Sequence, residues 1–395
     1  MSKNEFKMHL NMVTGYYGSK DIVNYDTKGI KIEEMDISEG YYFVRKKNNC
    51  IRKVVQHSDI KIENGDEILF RIRKNKKQMF SIENPLNKKM EETVENVRNL
   101  GKKLWYVLKS TPKHNMCHNN EDYILNKNDI IRFGNTLYEV IEKNIKGSNE
   151  NENSEETRRN HYDISNNNKK SQSIFKIKEI KEKDADYSNK TENETCRICF
   201  DGSSSVENPK VHLCSCKDFI HLQCLKHWIR TKIQKRQNLK KTVLTYYLKK
   251  FACEVCMTPY PLKFKINGLD KEYSLIDLEL PYEENFIALE SLNYCKGNYQ
   301  KIIHIVKLFD EIIIYGRNNY CDIIENNLSV SRLHAAFKYN KRTGEVILEN
   351  KSAKLDSLVL VKNPIKIQEN KIDFQVGRTT ITANLDQISD EGNKC

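Results

Sequence analysis

The chain has 395 residues, with 66 Lys and Arg against 54 Asp and Glu, a net charge of +12, and 12 cysteines. No apolar run approaches the roughly 18–20 residues that a membrane span needs, and Met1-Ser-Lys-Asn-Glu-Phe-Lys7 has no apolar core of a signal peptide behind it. The expectation is therefore an intracellular protein, cytoplasmic or nuclear, whose thiols stay free or bind metal. The basic residues are mixed with acids and not gathered into one arm, so nucleic acid is not the expected partner.

Residues 1–143 read as a mostly-β domain. Short alternating runs such as Tyr41–Val44, Ile68–Ile72 and Leu104–Leu108 are separated by turn signals such as Asn64-Gly65-Asp66. Tyr123–Gly134 followed by Leu137–Val140 reads as strand, polar turn, strand, Gly turn, strand. This run resembles the last strands of a forkhead-associated (FHA) sandwich. It has no Gly-Arg followed by Ser-x-x-His, so a degenerate, non-binding sandwich is expected. Residues 144–192 read as a disordered polar linker, since Asn149-Glu-Asn-Glu-Asn-Ser-Glu-Glu156 and Asn166-Asn-Asn-Lys-Lys170 cannot bury enough apolar area to fold alone.

Four ligand pairs follow: Cys196-Arg-Ile-Cys199, Cys214-Ser-Cys216, His221-Leu-Gln-Cys224 and Cys253-Glu-Val-Cys256. A two-residue gap lets one turn aim both side chains at one metal. Seven cysteines and one histidine suffice for two tetrahedral, structural Zn²⁺ ions. Cys50, Cys117, Cys295, Cys321 and Cys395 are isolated and read as ordinary thiols.

Residues 193–262 resemble the RING-CH (RING-variant) domain of E3 ubiquitin ligases, which has the same ligand order. The resemblance implies a small zinc-stapled α+β cross-brace. Cys196, Cys199, His221 and Cys224 would share one zinc, and Cys214, Cys216, Cys253 and Cys256 the other. It further implies an E2~ubiquitin conjugate as partner, docked on Ile198, Trp228 and Pro259, with no residue acting as a nucleophile. The sequence departs from the family at two loops. Four residues separate Cys216 from His221, fewer than is usual, and 28 separate Cys224 from Cys253. Leu225 to about Leu239 reads as an extended basic helix. Met257 stands directly after Cys256, where many RING domains carry a cation.

After a connector at 263–284, the apolar run Ile312–Tyr315 ends in Gly316-Arg317, and Ser331-Arg-Leu-His334 opens a later strand. A phosphate dianion wants a guanidinium fork and short hydroxyl donors. Residues 285–385 resemble an FHA domain, an all-β sandwich that binds phosphothreonine peptides through its loops, and residues 386–395 are a tail. The resemblance implies that Arg317, Ser331, Arg332 and Lys354 contact the phosphopeptide, with His334 bracing the loop. Asp356 and Ser357 replace a usual Gly and Thr. The combined expectation is a phosphorylation-directed E3 ubiquitin ligase that meets a phosphothreonine-containing protein. A non-catalytic phospho-dependent scaffold is the alternative.

Overall fold

The computed structural model describes residues 6–17, 23–24, 30–45, 50–55, 67–75, 79–84, 100–110, 122–146, 195–205, 207–261, 263–266, 269–292, 299–367 and 371–387. The linker expected at 144–192 lies outside these apart from its first three residues, as does the tail beyond Gln387. The amino-terminal strands are β1 (Phe6–Thr14), β2 (Tyr16–Tyr17), β3 (Val23–Asn24), β4 (Lys31–Ile37), β5 (Tyr41–Arg45), β6 (Ile51–Val55), β7 (Glu67–Lys74), β8 (Phe80–Glu83), β9 (Leu104–Leu108), β10 (Asp122–Ile124), β11 (Ile130–Phe133) and β12 (Thr136–Asn144). The middle of the chain forms β13 (Lys210–Val211), β14 (Ile220–His221), helix α1 (Leu222–Lys232), β15 (Gln234–Gln237), β16 (Val243–Lys249), β17 (Lys263–Ile266), β18 (Leu269–Ser274), β19 (Phe286–Ser291) and β20 (Tyr299–Lys307). The last strands are β21 (Ile313–Gly316), β22 (Ile323–Ile324), β23 (Ala335–Asn340), β24 (Glu345–Asn350), β25 (Ser357–Leu360), β26 (Ile365–Ile367), β27 (Lys371–Val376) and β28 (Thr379–Gln387). None of the described helices is long and apolar enough to cross a membrane.

The chain divides into two compact units. One comprises Met1–Val140, Asp310–Lys341 and Glu345–Cys395; the other comprises Ile141–Phe309 and Arg342–Gly344. Residues 285–385, expected as one domain, are thus shared out. β19 and β20 lie in the second unit, while β21 to β28 lie in the first with the amino-terminal strands. The physical reason is strand pairing. β25 is hydrogen-bonded on one side to β11 and on the other to β9, so both of its edges are closed by strands from the amino-terminal segment. Likewise β10 pairs with β24, and β1 pairs with β28 over its whole length, from Phe6↔Gln387 to Thr14↔Thr379. The Tyr123–Val140 run is therefore not a sandwich of its own; it completes one begun by the carboxy-terminal strands.

In the first unit the strands β12-β11-β25-β9-β27-β28-β1-β4 follow one another in pairing order. A five-stranded sheet, β10-β24-β23-β21-β22, packs against one part of that run through aromatic rings. Phe133 of β11 lies 4.3 Å from Tyr315 of β21 and 6.5 Å from Phe337 of β23, and Tyr138 of β12 lies 5.9 Å from Tyr315 (centroid distances). A second five-stranded sheet, β26-β8-β7-β5-β6, shares a buried cluster with β1, β27 and β28. Met8, Leu10 and Met12 of β1 alternate into it as the two-residue period of a strand dictates. They meet Phe43, Phe70, Phe80 and Phe374 there, with Phe43 and Phe70 stacked at 4.3 Å.

The second unit holds the four ligand pairs. Its core joins Cys196, Cys253, Leu222, Leu225 and Ile229 to Tyr246 and Leu248 of β16, Phe286 of β19 and Ile303 and Ile305 of β20. Helix α1 buries Leu222, Leu225 and Ile229, one stripe of an amphipathic helix. It ends at Lys232, short of the helix expected to run to about Leu239. Ile233 is extended, and β15 pairs with the β-branched and aromatic strand β16. The turn is fixed by Asn238, whose Oδ1 accepts from Val243 N–H at 2.9 Å and whose Nδ2 donates to Thr242 Oγ1 at 2.9 Å. Lys, Arg and Gln are good helix formers, but intrinsic propensity is a weak determinant, and cross-strand pairing overrides it here.

Because β25 is closed by β9 and β11, a fragment of residues 285–395 is expected to lack a dispersed amide spectrum, whereas the full chain has one. Phe133→Ala in the full chain is expected to cost about 3–5 kcal/mol in denaturant unfolding of the first unit.

Candidate metal centre and loop constellation

The first ligand pair forms a tight knuckle. Phe200 N–H donates to Cys196 O at 2.7 Å, and Phe200 takes a left-handed φ of 62°. The last pair repeats it: Met257 N–H donates to Cys253 O at 2.9 Å, with φ 58° at Met257. Neither position is glycine, so each knuckle holds a backbone state costing roughly 1–2 kcal/mol. The two knuckles lie at opposite ends of the ligand series but feed different clusters. Cys196, Cys199, His221 and Cys224 form one group and Cys214, Cys216, Cys253 and Cys256 the other, with the ligand atoms of each within 4.8 Å of one another. The pairs interleave along the chain, first with third and second with fourth.

The spacing fits zinc and not disulfides. Cys216 and Cys253 Sγ are 3.6 Å apart. Tetrahedral Zn–S bonds of about 2.3 Å put sulfurs about 3.8 Å apart, while a disulfide needs about 2.05 Å. In the first group His221 Nδ1 lies 3.2 Å from Cys199 Sγ and 4.0 Å from Cys224 Sγ. Its Nε2 is hydrogen-bonded to Ser203 O. That assigns the tautomer: Nε2–H donates to the carbonyl and Nδ1 faces the metal position. His221 occupies the N-cap of α1 without making a side-chain cap, because its ring is committed to the cluster. The loop caps the helix in its place, with Gln223 N–H donating to Asn208 Oδ1 and Leu222 N–H to Pro209 O, both at 2.9 Å.

The thiols differ in their readiness to ionise. Burial works to raise Cys253, but the backbone N–H of Cys256 and the Arg197 guanidinium outweigh it and bring it down to about 5. Burial pushes Cys214 and Cys224 up to about 12, so zinc must displace their protons on binding. The eight residues thus make two closed four-ligand sites suited to two zinc ions.

Around these sites Ile198 is 41% exposed, Trp228 is half-buried and Pro259 is exposed. Trp228 meets Tyr260 edge-on at 6.1 Å, and Lys232 Nζ stands 5.3 Å from the Trp228 ring while pairing with Glu254 at 3.3 Å. Pro259 bridges Ala252 across the second knuckle. Arg197, which sequence reasoning passed over, sends its guanidinium from the first knuckle to the sulfurs of the second cluster. Its place between two metal ligands was the available signal.

The loops after β21 are held to those before β23. Arg317 N–H donates to Ser331 O and Asn318 N–H to Arg332 O, both at 3.0 Å, and Arg317 Nε donates to Val330 O at 3.1 Å. Gly316 is required by this approach, because a Cβ there would lie 2.4 Å from Arg332 O. His334 is fully buried and held down to about 4 by burial, hence neutral at pH 7. Its Nδ1 accepts from Ser331 N–H at 3.0 Å. Ser331 Oγ meets Ser352 Oγ at 2.7 Å, and Ser352 Oγ accepts from the N–H groups of Lys354 and Leu355. Ser352, a second hydroxyl beside Ser331, also escaped the sequence reading. Arg332 and Lys354 are exposed. Asp356 is raised to about 6 by burial, with Asp373 adding to the effect and Lys109 opposing it.

Residues 196–256 match the RING-variant domain family. The chain is 28% identical over 148 residues to the probable E3 ubiquitin-protein ligase MARCHF10 of Rattus norvegicus, which covers 32% of this chain and 18% of that protein. No solved structure matches the chain significantly.

Purified chain is expected to carry two zinc ions per molecule by elemental analysis. Because Cys196 and Cys253 sit inside the core of the second unit, chelation is expected to abolish its cooperative melting transition, each structural zinc being worth on the order of 10 kcal/mol.

Proposed function

We propose that the chain is a RING-type E3 ubiquitin transferase directed to its targets by phosphorylation. The observation that carries the ligase reading is the pair of interleaved four-ligand clusters, with Ile198 exposed beside one knuckle and Trp228 presented by α1. The match to the RING-variant family and the name of the rat relative support it. In this reading zinc is structural: it fixes the loops and takes no part in bond making. Ile198, Trp228 and Pro259 hold the E2~ubiquitin conjugate so that its thioester is positioned for attack by a target lysine. The rate gain comes from orientation, not from a covalent intermediate on this chain. The expected result is ubiquitin-chain synthesis by the zinc-loaded chain with at least one member of an E2 panel. Loss of roughly tenfold or more is expected in Ile198→Ala and in Trp228→Ala with two zincs still bound.

The sandwich that joins β21–β25 to β9–β12 is, in this proposal, of the FHA type and reads phosphothreonine. Support comes from the loop geometry. Arg317 is tied through Nε to a carbonyl, which fixes its guanidinium, and its two terminal nitrogens would bind the phosphate. Ser331 is held from behind by neutral His334 and from the side by Ser352. Arg332 and Lys354 stand exposed on the neighbouring loops and would contact the peptide. Arg317→Ala is expected to weaken binding of phosphothreonine peptides by about 10- to 100-fold in calorimetry. The matching unphosphorylated peptides should show no binding to either protein.

Two observations favour a non-catalytic, phospho-dependent scaffold. Four residues between Cys216 and His221 leave little loop to build an E2 groove, and Lys232 lies over the Trp228 ring. Two bound zincs with no ubiquitin chains from any E2 would select that reading.

A further inference from the structure

We infer that Arg197 couples the two zinc centres, so that loading of one strengthens the other. Its backbone belongs to the first cluster, because it stands between the ligands Cys196 and Cys199. Arg197 N–H donates to Phe219 O at 3.2 Å, which ties that knuckle to the strand leading into His221. Its side chain belongs to the second cluster. Nη2 lies 3.3 Å from Cys253 Sγ and Nη1 3.7 Å from Cys216 Sγ, and Nη2 also donates to Tyr260 Oη at 3.1 Å. One planar fork thus spans two sulfurs of the four-cysteine site, a geometry that a single ammonium cannot reproduce.

The charge balance gives this contact its weight. Four thiolates exceed the two positive charges of a zinc ion by two, whereas three thiolates and a neutral imidazole exceed them by one. The four-cysteine site therefore gains more from a nearby cation, and N–H donors on its sulfurs reduce the mutual repulsion of the thiolates. The cation is delivered by the knuckle of the other site. When that knuckle is closed on its metal, Arg197 has a fixed starting point and its fork is pre-aimed. When it is open, the fork must be ordered at the expense of side-chain entropy. Coupling of this kind is reciprocal, so the second site must strengthen the first by the same factor.

The test is chelator competition on the full chain, with cobalt substitution to tell a four-thiolate site from a three-thiolate site by its charge-transfer absorption. The wild type is expected to lose both metals in one concerted step. Arg197→Met is expected to lose the four-cysteine metal first, with affinity about 10- to 100-fold lower, while the other site weakens by no more than the coupling factor it shares. Arg197→Lys, which keeps the charge but not the fork, should lose about tenfold at the same site, and it decides the matter if the Met variant does not fold. Tyr260→Phe removes the hydroxyl contact alone and should release metal as the wild type does. Cys224→Ala should weaken the four-cysteine site in the wild-type background and leave it unmoved in the Arg197→Met background. Wild-type release profiles in both Arg197 variants, or a Cys224→Ala effect on the four-cysteine site that persists undiminished in the Arg197→Met background, would overturn the proposal. The readout is metal and not ubiquitin, so it stands or falls apart from the ligase reading.

Discussion

Strand β25 has both of its edges closed by strands from far upstream, and the first unit depends on that pairing. Ser357 faces Leu108 on one side and Phe133 on the other. A nearby bond, Ser110 Oγ to Ser352 O, joins residues 242 positions apart. Each such pairing must be reached across a very long loop, yet the entropy of closing a loop grows only with the logarithm of its length. A ladder with an aromatic core beneath it can therefore afford the distance. The consequence for the site is direct. The loop bearing Ser352 and Lys354 leads into β25, so the amino-terminal strands set the position of residues whose chemistry is written in the carboxy-terminal third.

That arrangement explains which readings the sequence carried and which it did not. The strands themselves were legible, because short alternating runs such as Tyr41–Val44 and Leu104–Leu108 stand between turn signals and because Tyr123–Val140 is punctuated by an Asn-Asp turn and by Gly134. Gly134 has φ +59°, and a Cβ there would meet Ser329 O at 2.1 Å. Its partner loop is thus in the last third of the chain, a fact no local pattern records. The missing Gly-Arg and Ser-x-x-His in the amino-terminal run suggested a degenerate second sandwich. The structure supplies a simpler account: those strands lack the motif because they complete the sandwich that has it.

The metal centre was legible for the opposite reason. Its ligands come in pairs whose spacing is local, and in the Cys196–Cys199 and Cys253–Cys256 knuckles the two residues between the ligands are a nearly complete description of the turn. Spacing does not disclose what sits between the knuckles. The helix expected to reach Leu239 stops at Lys232, because Asn238 and the pairing of β15 with β16 favour a hairpin. The hairpin is no appendage. Tyr246 and Leu248 of β16 lie in the same core as Cys196 and Cys253, so the long interval between Cys224 and Cys253 is filled by structure that anchors the zinc loops from below.

Two histidines show how one side chain serves two kinds of site. His221 turns Nδ1 toward sulfurs and spends Nε2–H on the Ser203 carbonyl. His334 is neutral because it is buried, and its Nδ1 receives the N–H of Ser331. In the first case the proton must be absent from the nitrogen that faces a cation. In the second it must be absent from the nitrogen that holds a loop, leaving the Ser331 hydroxyl free to be set by Ser352. Charging His334 would place a proton on the atom that now accepts. Burial, which penalises the charged form, therefore protects that arrangement. The same logic governs Arg197, whose cation is tolerated at the cluster because the thiolates it faces carry the opposite charge in excess.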